Sequence, residues 1–176
     1  MFQDGIFTHI LPARRIRHSC SRKVKLVDLA LRQGGDNRGR PGRQAGHFVD
    51  YAPPSFVIFQ NRIHLQMTLR NPNPFDKNTT SIYKRGAQSF DLFLAPLLKS
   101  LLERAPVAEE IAGFDITVLN EIGINSRDSP EALEFIFPLQ PLRKFTDAEI
   151  TNQNLINQGI VLVNGVRIAL DLQRAG

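Results

Sequence analysis

The chain of 176 residues contains one cysteine, Cys20, and no tryptophan. A single cysteine excludes the disulfide frameworks that hold small secreted domains together. No apolar stretch reaches the roughly 18 residues that a membrane-spanning helix requires, and no apolar run follows an early basic cluster as it does in a secretory signal. These absences predict a soluble protein with a cytoplasmic default location, and they leave the actual compartment open.

Motifs that carry chemistry are also missing. The four histidines, His9, His18, His47 and His64, are scattered, and no pair of His or Cys residues has the short spacing of a zinc site. Phosphate-binding glycine loops and the G-x-S-x-G motif of hydrolases are absent. We therefore expect no metal, no cofactor and no catalytic residue that the sequence can name. We expect His64 to be a solvated histidine on the outer side of a strand.

Three pairs of carboxylates remain as candidates for acid–base chemistry, although each is more simply a solvated group at a strand edge or a helix start. The pairs are Asp115 with Glu121, Glu131 with Glu134, and Asp147 with Glu149. A cleft that gathers two of these carboxylates beside an apolar pocket would favour an enzyme. Without such a cleft, the sequence favours a protein that is not an enzyme.

The positive charge is concentrated at one end of the chain. The net charge is +5, but residues 1–48 hold ten Lys or Arg against three Asp, a balance of +7. Residues 49–176 hold twelve basic and fourteen acidic residues, a balance of −2. Any attraction to a polyanion therefore belongs to the N-terminal quarter.

This N-terminal arm has little that can form a core. It contains one short apolar run, Val24–Leu31, followed by a stretch, Gly34–Gly46, with five Gly and one Pro. Such a composition favours a mobile chain. We expect a basic, largely disordered arm over 1–48, a Pro-rich linker over 49–55 and a folded domain over 56–176. An alternative is that the arm is a misassigned start or the remnant of a truncated domain.

One segment of the arm has a known mechanism of binding. The residues Asn37-Arg-Gly-Arg-Pro-Gly-Arg43 resemble the core of an AT-hook, and the match covers Arg38–Pro41. The resemblance implies an extended segment whose arginines enter the narrow minor groove of A·T-rich DNA. Nucleic-acid contacts would then come from six arginines of the arm: Arg14, Arg15, Arg17, Arg38, Arg40 and Arg43.

The rest of the chain alternates between strand and helix patterns. Apolar residues recur at every second position in Ile63–Leu69, Phe114–Val118 and Leu133–Phe137, which is typical of half-buried strands. The apolar run Phe56–Phe59 also predicts a strand. Whether Asn61-Arg62 is a hairpin turn or lies within one long strand stays open. An apolar stripe at helical spacing predicts a long helix over about 80–104, capped by a Ser or Thr at 79–81 and interrupted near Leu92–Pro96. A short helix is expected near 146–157, and Asn164-Gly165 predicts a C-terminal β-hairpin.

These patterns predict an α+β fold, with an antiparallel sheet of about four to six strands and the long helix on one face. We expect a non-enzymatic module that acts through contacts with a protein partner or by self-association, for example by a strand added beside 160–172. The alternative is a nucleic-acid-binding protein that uses the basic arm.

Overall fold

Six strands form one sheet within the residues that the structure describes. A computed structural model describes residues 49–71, 73–76, 79–104, 111–123 and 130–174, and of 49–53 and 103–104 it describes the backbone alone. The strands lie in chain order: β1 (Val49–Phe59), β2 (Arg62–Arg70), β3 (Gly113–Asn120), β4 (Glu131–Pro138), β5 (Ile160–Val163) and β6 (Val166–Ile168). Neighbouring strands are antiparallel except for β2 and β3, which are parallel. The α+β class is confirmed, and the sheet is mostly antiparallel.

A long helix explains the one parallel pair. It consists of α1 (Ile82–Gln88), a π-helical turn (Ser89–Leu94) and α2 (Ala95–Arg104). The predicted cap is Ser81, whose hydroxyl accepts the N–H of Lys84 at 3.2 Å. The long helix returns the chain to the end of the sheet where β2 began, and a return of this kind makes the next strand parallel. None of the helices within the described ranges is long and apolar enough to cross a membrane.

The interruption predicted near Pro96 is the π-helical turn. Proline has no N–H, so an α-helical pattern would leave the carbonyl of Leu92 without its donor. The wider turn accommodates this irregularity. Pro96 is exposed, and the apolar stripe continues on the other side of the helix through the fully buried Phe90, Leu94 and Leu98.

The core lies between the sheet and the helices. The helices pack on one face of the sheet, here called the helical face, against Phe114, Ile116 and Val118 of β3 and against the alternate residues of β4. The rings of Phe90, Phe135 and Phe137 lie with their centroids 6.0 to 6.2 Å apart. The opposite side, here called the second face, is defined by His64, Gln66, Asp115, Thr117, Glu134, Ile136 and Leu162, because paired residues share a face.

The structure has one short helix within the predicted range 146–157 and another directly before it, where none was predicted. They are α3 (Leu139–Thr146) and α4 (Asn152–Gln158). α3 begins directly after β4. Pro141 lies in its first turn, where the missing N–H is not needed, so this proline is compatible with the helix. A turn that contains Ala148 with a φ of 60° then separates the helices. The hydroxyl of Thr151 caps α4 by accepting the N–H of Asn154 at 3.2 Å.

Residues 49–55 are extended and form the first part of β1, and the Pro-rich linker expected there stays a prediction. β1 begins at Val49 and pairs with β2, with irregular register between Asp50 and Ala52 and between Ala52 and Ser55. An edge strand tolerates proline because an outward N–H is not needed for the ladder. A domain boundary at this point stays a prediction.

Both hairpins turn through two residues with positive φ. Asn164 and Gly165 have φ values of 49° and 80°, which confirms the predicted C-terminal hairpin. Gln60 and Asn61 have φ values of 49° and 59°. The question left open for the first two strands is therefore resolved in favour of a hairpin, one residue earlier than Asn61-Arg62.

Candidate functional site

The arginines predicted to bind nucleic acid lie outside the described residues. All six, Arg14, Arg15, Arg17, Arg38, Arg40 and Arg43, belong to the arm. The domain offers two other features, a groove beside β6 and a pair of carboxyl groups on the second face.

The groove lies between α4 and β6, the last strand of the sheet among the described residues. It encloses about 870 Å³, and its sides come from α4, from the β5–β6 hairpin and from the segment after it. Its floor contains the apolar side chains of Ile156, Val161, Ile168 and Leu170. We call it the β6 groove.

The amide of Gln153 shapes this groove. Its Nε2 donates to the carbonyl oxygen of Leu170 at 3.0 Å, and its Oε1 accepts the N–H of Leu172 at 2.8 Å. These bonds hold the segment after β6 against α4, so β6 ends at Ile168. Asn157, Arg167 and Asp171 line the rim. The groove thus has an apolar floor, a polar rim and charges of both signs.

The backbone of β6 opens towards a neighbour at Arg167. In a hairpin with a two-residue turn, the residues that flank the turn form a hydrogen-bonded pair and the next pair is not hydrogen-bonded. Val163 and Val166 flank the turn, and Arg167 stands opposite Leu162 in the next pair. The N–H and C=O of Arg167 therefore point away from β5, and a further strand can pair with them.

The second feature is a pair of carboxyl groups, Asp115 on β3 and Glu134 on β4, here called the carboxylate pair. Glu134 stands opposite Thr117, so it is diagonal to Asp115 on the second face. Gln66, opposite Asp115 on β2, donates from Nε2 to Asp115 Oδ2 at 3.0 Å. Asp115 Oδ1 is buried and has no hydrogen-bond partner among the described residues.

Burial raises the pKa of both carboxyl groups in this pair. Desolvation raises the pKa of Asp115 above its ordinary value, although the Gln66 hydrogen bond opposes the shift. Desolvation, and then the charge of Asp115, raise the pKa of Glu134 to about 7. Two carboxylate oxygens are both acceptors and repel each other, whereas a carboxylic acid donates to a carboxylate. A protonated Glu134 therefore supplies a donor for Asp115.

The prediction that His64 is solvated is wrong. Its side chain is on the second face, as expected, but only 5% of it is exposed. Gly113 stands opposite on β3, and a Cβ there would lie 2.9 Å from the imidazole, so the ring occupies space that only glycine leaves free. Nδ1 lies 3.2 Å from the carbonyl oxygen of Arg62, which requires Nδ1–H as the donor.

The remaining buried polar groups tie the long helix to the sheet. Arg85 donates from Nε and Nη2 to the two carboxylate oxygens of Glu131 at 2.9 and 2.6 Å, and it also donates to the carbonyl of Thr80. Asn120 accepts from Asn71 at 3.0 Å and donates to Ser89 at 3.3 Å. Because these groups satisfy one another inside the protein, they serve the fold rather than a ligand.

None of the three carboxylate pairs named from the sequence forms. Glu121 binds Arg70, Glu131 binds Arg85, and Asp147 and Glu149 are exposed. The structure instead joins one member from each of two pairs, Asp115 and Glu134. Asp115 and Glu134 each alternate with the apolar residues of their strands. This alternation in the sequence indicates that both lie on the face opposite the core. Within the described ranges, no group of three or more His, Cys, Asp or Glu residues is arranged to hold a metal ion.

Comparisons with known proteins add no relative. The chain matches no protein-family model, and no curated protein and no solved structure shows significant similarity to it.

Proposed function

We propose that the protein is a non-enzymatic binding module that holds an extended segment of a protein partner along β6. The observation that carries this proposal is the outward N–H and C=O of Arg167 beside the β6 groove. A strand added to a sheet edge gains affinity from main-chain hydrogen bonds and specificity from pockets that take alternate side chains. The apolar floor suits an aliphatic or aromatic side chain of the added strand.

The other edge of the sheet is less suited to this role. β1 carries Pro53 and Pro54 and has two irregularities of register, and both devices discourage the pairing of an edge with another chain. The described groove also lies on the β6 side. We therefore place the partner at β6, and self-association through β1 is an outcome that the test can reveal.

Acid–base catalysis is not proposed. The structure does gather two of the carboxylates named from the sequence, Asp115 and Glu134, but neither of them lines the β6 groove. A nucleic-acid-binding arm remains the alternative function, and it rests on the charge and the AT-hook resemblance of residues outside the described ranges.

The test is a selection of random decapeptides displayed on phage against the full chain, followed by titration of the selected peptides. We expect apolar-rich peptides that bind wild type. Arg167→Pro removes the outward N–H, and we expect at least tenfold weaker binding, whereas the matched Arg167→Ala retains the N–H and the binding. Asn157→Trp fills the groove and should also weaken binding, whereas Asn157→Ala should not.

The same peptides decide between the edges. Ile58→Pro removes an N–H that points outward from β1, since Ile58 stands opposite Ile63 in a pair that is not hydrogen-bonded. This variant should bind as wild type does. Loss of binding in Ile58→Pro with retention in Arg167→Pro would overturn the assignment to β6, as would a selection that yields no peptide sensitive to either variant. Circular dichroism of each variant checks that it is folded.

A further inference from the structure

The second face is covered, although the described helices pack on the helical face. Ile136 is 4% exposed, Leu162 is 9% exposed and Asp115 is 5% exposed. When an antiparallel sheet has one face open to water, that face carries exposed polar side chains. Aliphatic side chains that are as buried as Ile136 and Leu162 indicate instead that something lies over this face.

The carboxylate pair lies on the same face. Asp115 Oδ1 is the one buried side-chain oxygen or nitrogen of the described residues that lacks a hydrogen-bond partner. Buried polar atoms are nearly always paired with protein or water, and Asp115 is nine-tenths buried, so a protonated Glu134 is its available donor. With one proton between them the two carboxyl groups keep one negative charge, so a cover that suits this face is apolar above Ile136 and Leu162 and basic near the carboxylate pair.

The N-terminal arm contains a segment with this chemistry. Six of the eight residues in Val24–Leu31 are apolar, and the segment cannot bury them by itself. Basic residues accompany the run: Arg22, Lys23, Lys25 and Arg32. The arm as a whole carries +7 against −2 for residues 49–176, so attraction between unlike charges favours their contact.

The chain between the run and the sheet is long enough. Seventeen residues, 32–48, separate Leu31 from the start of β1. Fully extended, they span up to roughly 55 to 60 Å. Six strands at about 4.8 Å spacing are only about 24 Å wide. The run can therefore reach any part of the second face.

We propose that Val24–Leu31 packs on the second face of the sheet over Ile136 and Leu162, with its accompanying Lys and Arg residues beside Asp115 and Glu134. The run is then part of the folded domain, and Gly34–Gly46 is the connection to it. The six arginines of the nucleic-acid hypothesis lie on either side of the run, so this assignment leaves them outside the covered face.

Disulfide trapping in the full chain tests this contact. In a Cys20→Ser background, a cysteine is placed at Leu26 or at Val27 and combined with Leu162→Cys on the second face. The matched control combines the same cysteine with Leu92→Cys, since Leu92 is 64% exposed on the long helix and lies on the other side of the sheet. We expect at least one of the Leu162 pairs to form an intramolecular disulfide at least tenfold faster than its Leu92 control. Equal rates, or disulfides only between molecules, would overturn the proposal.

Hydrogen exchange of the wild-type chain provides a measurement that does not depend on any variant folding. The amides of 24–31 should exchange at least tenfold more slowly, relative to their intrinsic rates, than those of 34–46. Equal exchange in the two segments would count against the packed run, whatever the cysteine variants do.

Discussion

The carboxylate pair should make the stability of this protein fall as the pH rises, and Glu134→Gln should remove that dependence. The pKa of Glu134 is raised from 4.5 to about 7 in the folded protein by burial and by the charge of Asp115. Glutamine has nearly the same shape, donates a hydrogen bond to Asp115 as the protonated acid does, and cannot ionise.

The sign follows from the protons that each state holds. Below about pH 4.5 both states carry the proton, and between pH 4.5 and about 7 the folded state retains it while the unfolded state has lost it. Because the folded state binds more protons in this window, its stability decreases as the pH rises, and the loss is complete above the folded pKa. The protons belong to the pair as a whole, since the two carboxyl groups interact.

The size follows from the shift. At about 1.4 kcal/mol for each pKa unit, the change in the pKa of Glu134 from 4.5 to about 7 corresponds to at most ~3.5 kcal/mol. Glu134 is only half-buried, so solvent screening reduces this value, and we expect about 1 to 2 kcal/mol between pH 5 and pH 8.5. The variant should therefore match wild type at pH 5 and exceed its free energy of unfolding by this amount at pH 8.5.

Urea denaturation followed by circular dichroism at pH 5, 6, 7 and 8.5 measures this difference. Glu149→Gln is the control, because it removes one carboxylate at an exposed position and should remain parallel to wild type. If the difference between Glu134→Gln and wild type is the same at pH 5 and pH 8.5, the argument for a shared proton is wrong.

Three other predictions concern the core, the second face and the arm. Glu131→Gln should lower the free energy of unfolding, measured in urea, by about 3 to 5 kcal/mol, because the guanidinium of Arg85 stays buried without its counter-charge. The double variant Arg85→Met with Glu131→Leu should recover most of this loss. Equal losses in the two variants would contradict the reasoning. Gly113→Ala should lower the free energy of unfolding by about 1 to 3 kcal/mol, since the added Cβ would clash with the carbonyl oxygen of Phe137 and approach the His64 ring to 2.9 Å. An unchanged melting temperature would contradict this prediction. If the arm binds DNA, a variant with Arg38, Arg40 and Arg43 replaced by alanine should lose the salt-sensitive binding of the full chain to an A·T-rich duplex. Unchanged binding in this variant would remove the hypothesis.

Local patterns predicted the elements that depend on local physics. The stripe of the long helix places Phe90, Leu94 and Leu98 on one side at helical spacing, and a single serine, Ser81, can cap its start. Asn164-Gly165 tolerates positive φ at both positions. Gln60-Asn61 adopts the same turn without glycine, because the strands on either side pair along their length and impose it. Propensity is overridden there by the sheet.

The candidate site depended on register, which local patterns do not contain. Alternation shows that Asp115 and Glu134 share the second face. It does not show that Thr117 stands opposite Glu134, because that pairing is set by how the chain connects β3 to β4. The burial of His64 likewise depends on Gly113, a residue far along the chain that the parallel pairing of β2 and β3 brings alongside. The β6 groove depends on Gln153, whose bonds to the segment after β6 are equally non-local.

The carboxylate pair and the outward backbone of Arg167 lie on different surfaces, and this separates their roles. Asp115 Oδ1 is on the second face, whereas the outward backbone of Arg167 opens at an edge, next to a groove on the helical side. A segment of the arm over the second face therefore leaves the β6 edge open to a partner. Arg167→Pro should weaken peptide binding without changing the exchange of 24–31, and disulfide trapping of the arm at Leu162 should leave peptide binding intact. Coupled changes in both measurements would show that arm and partner compete for one surface, and the separation argued from these atoms would then fail.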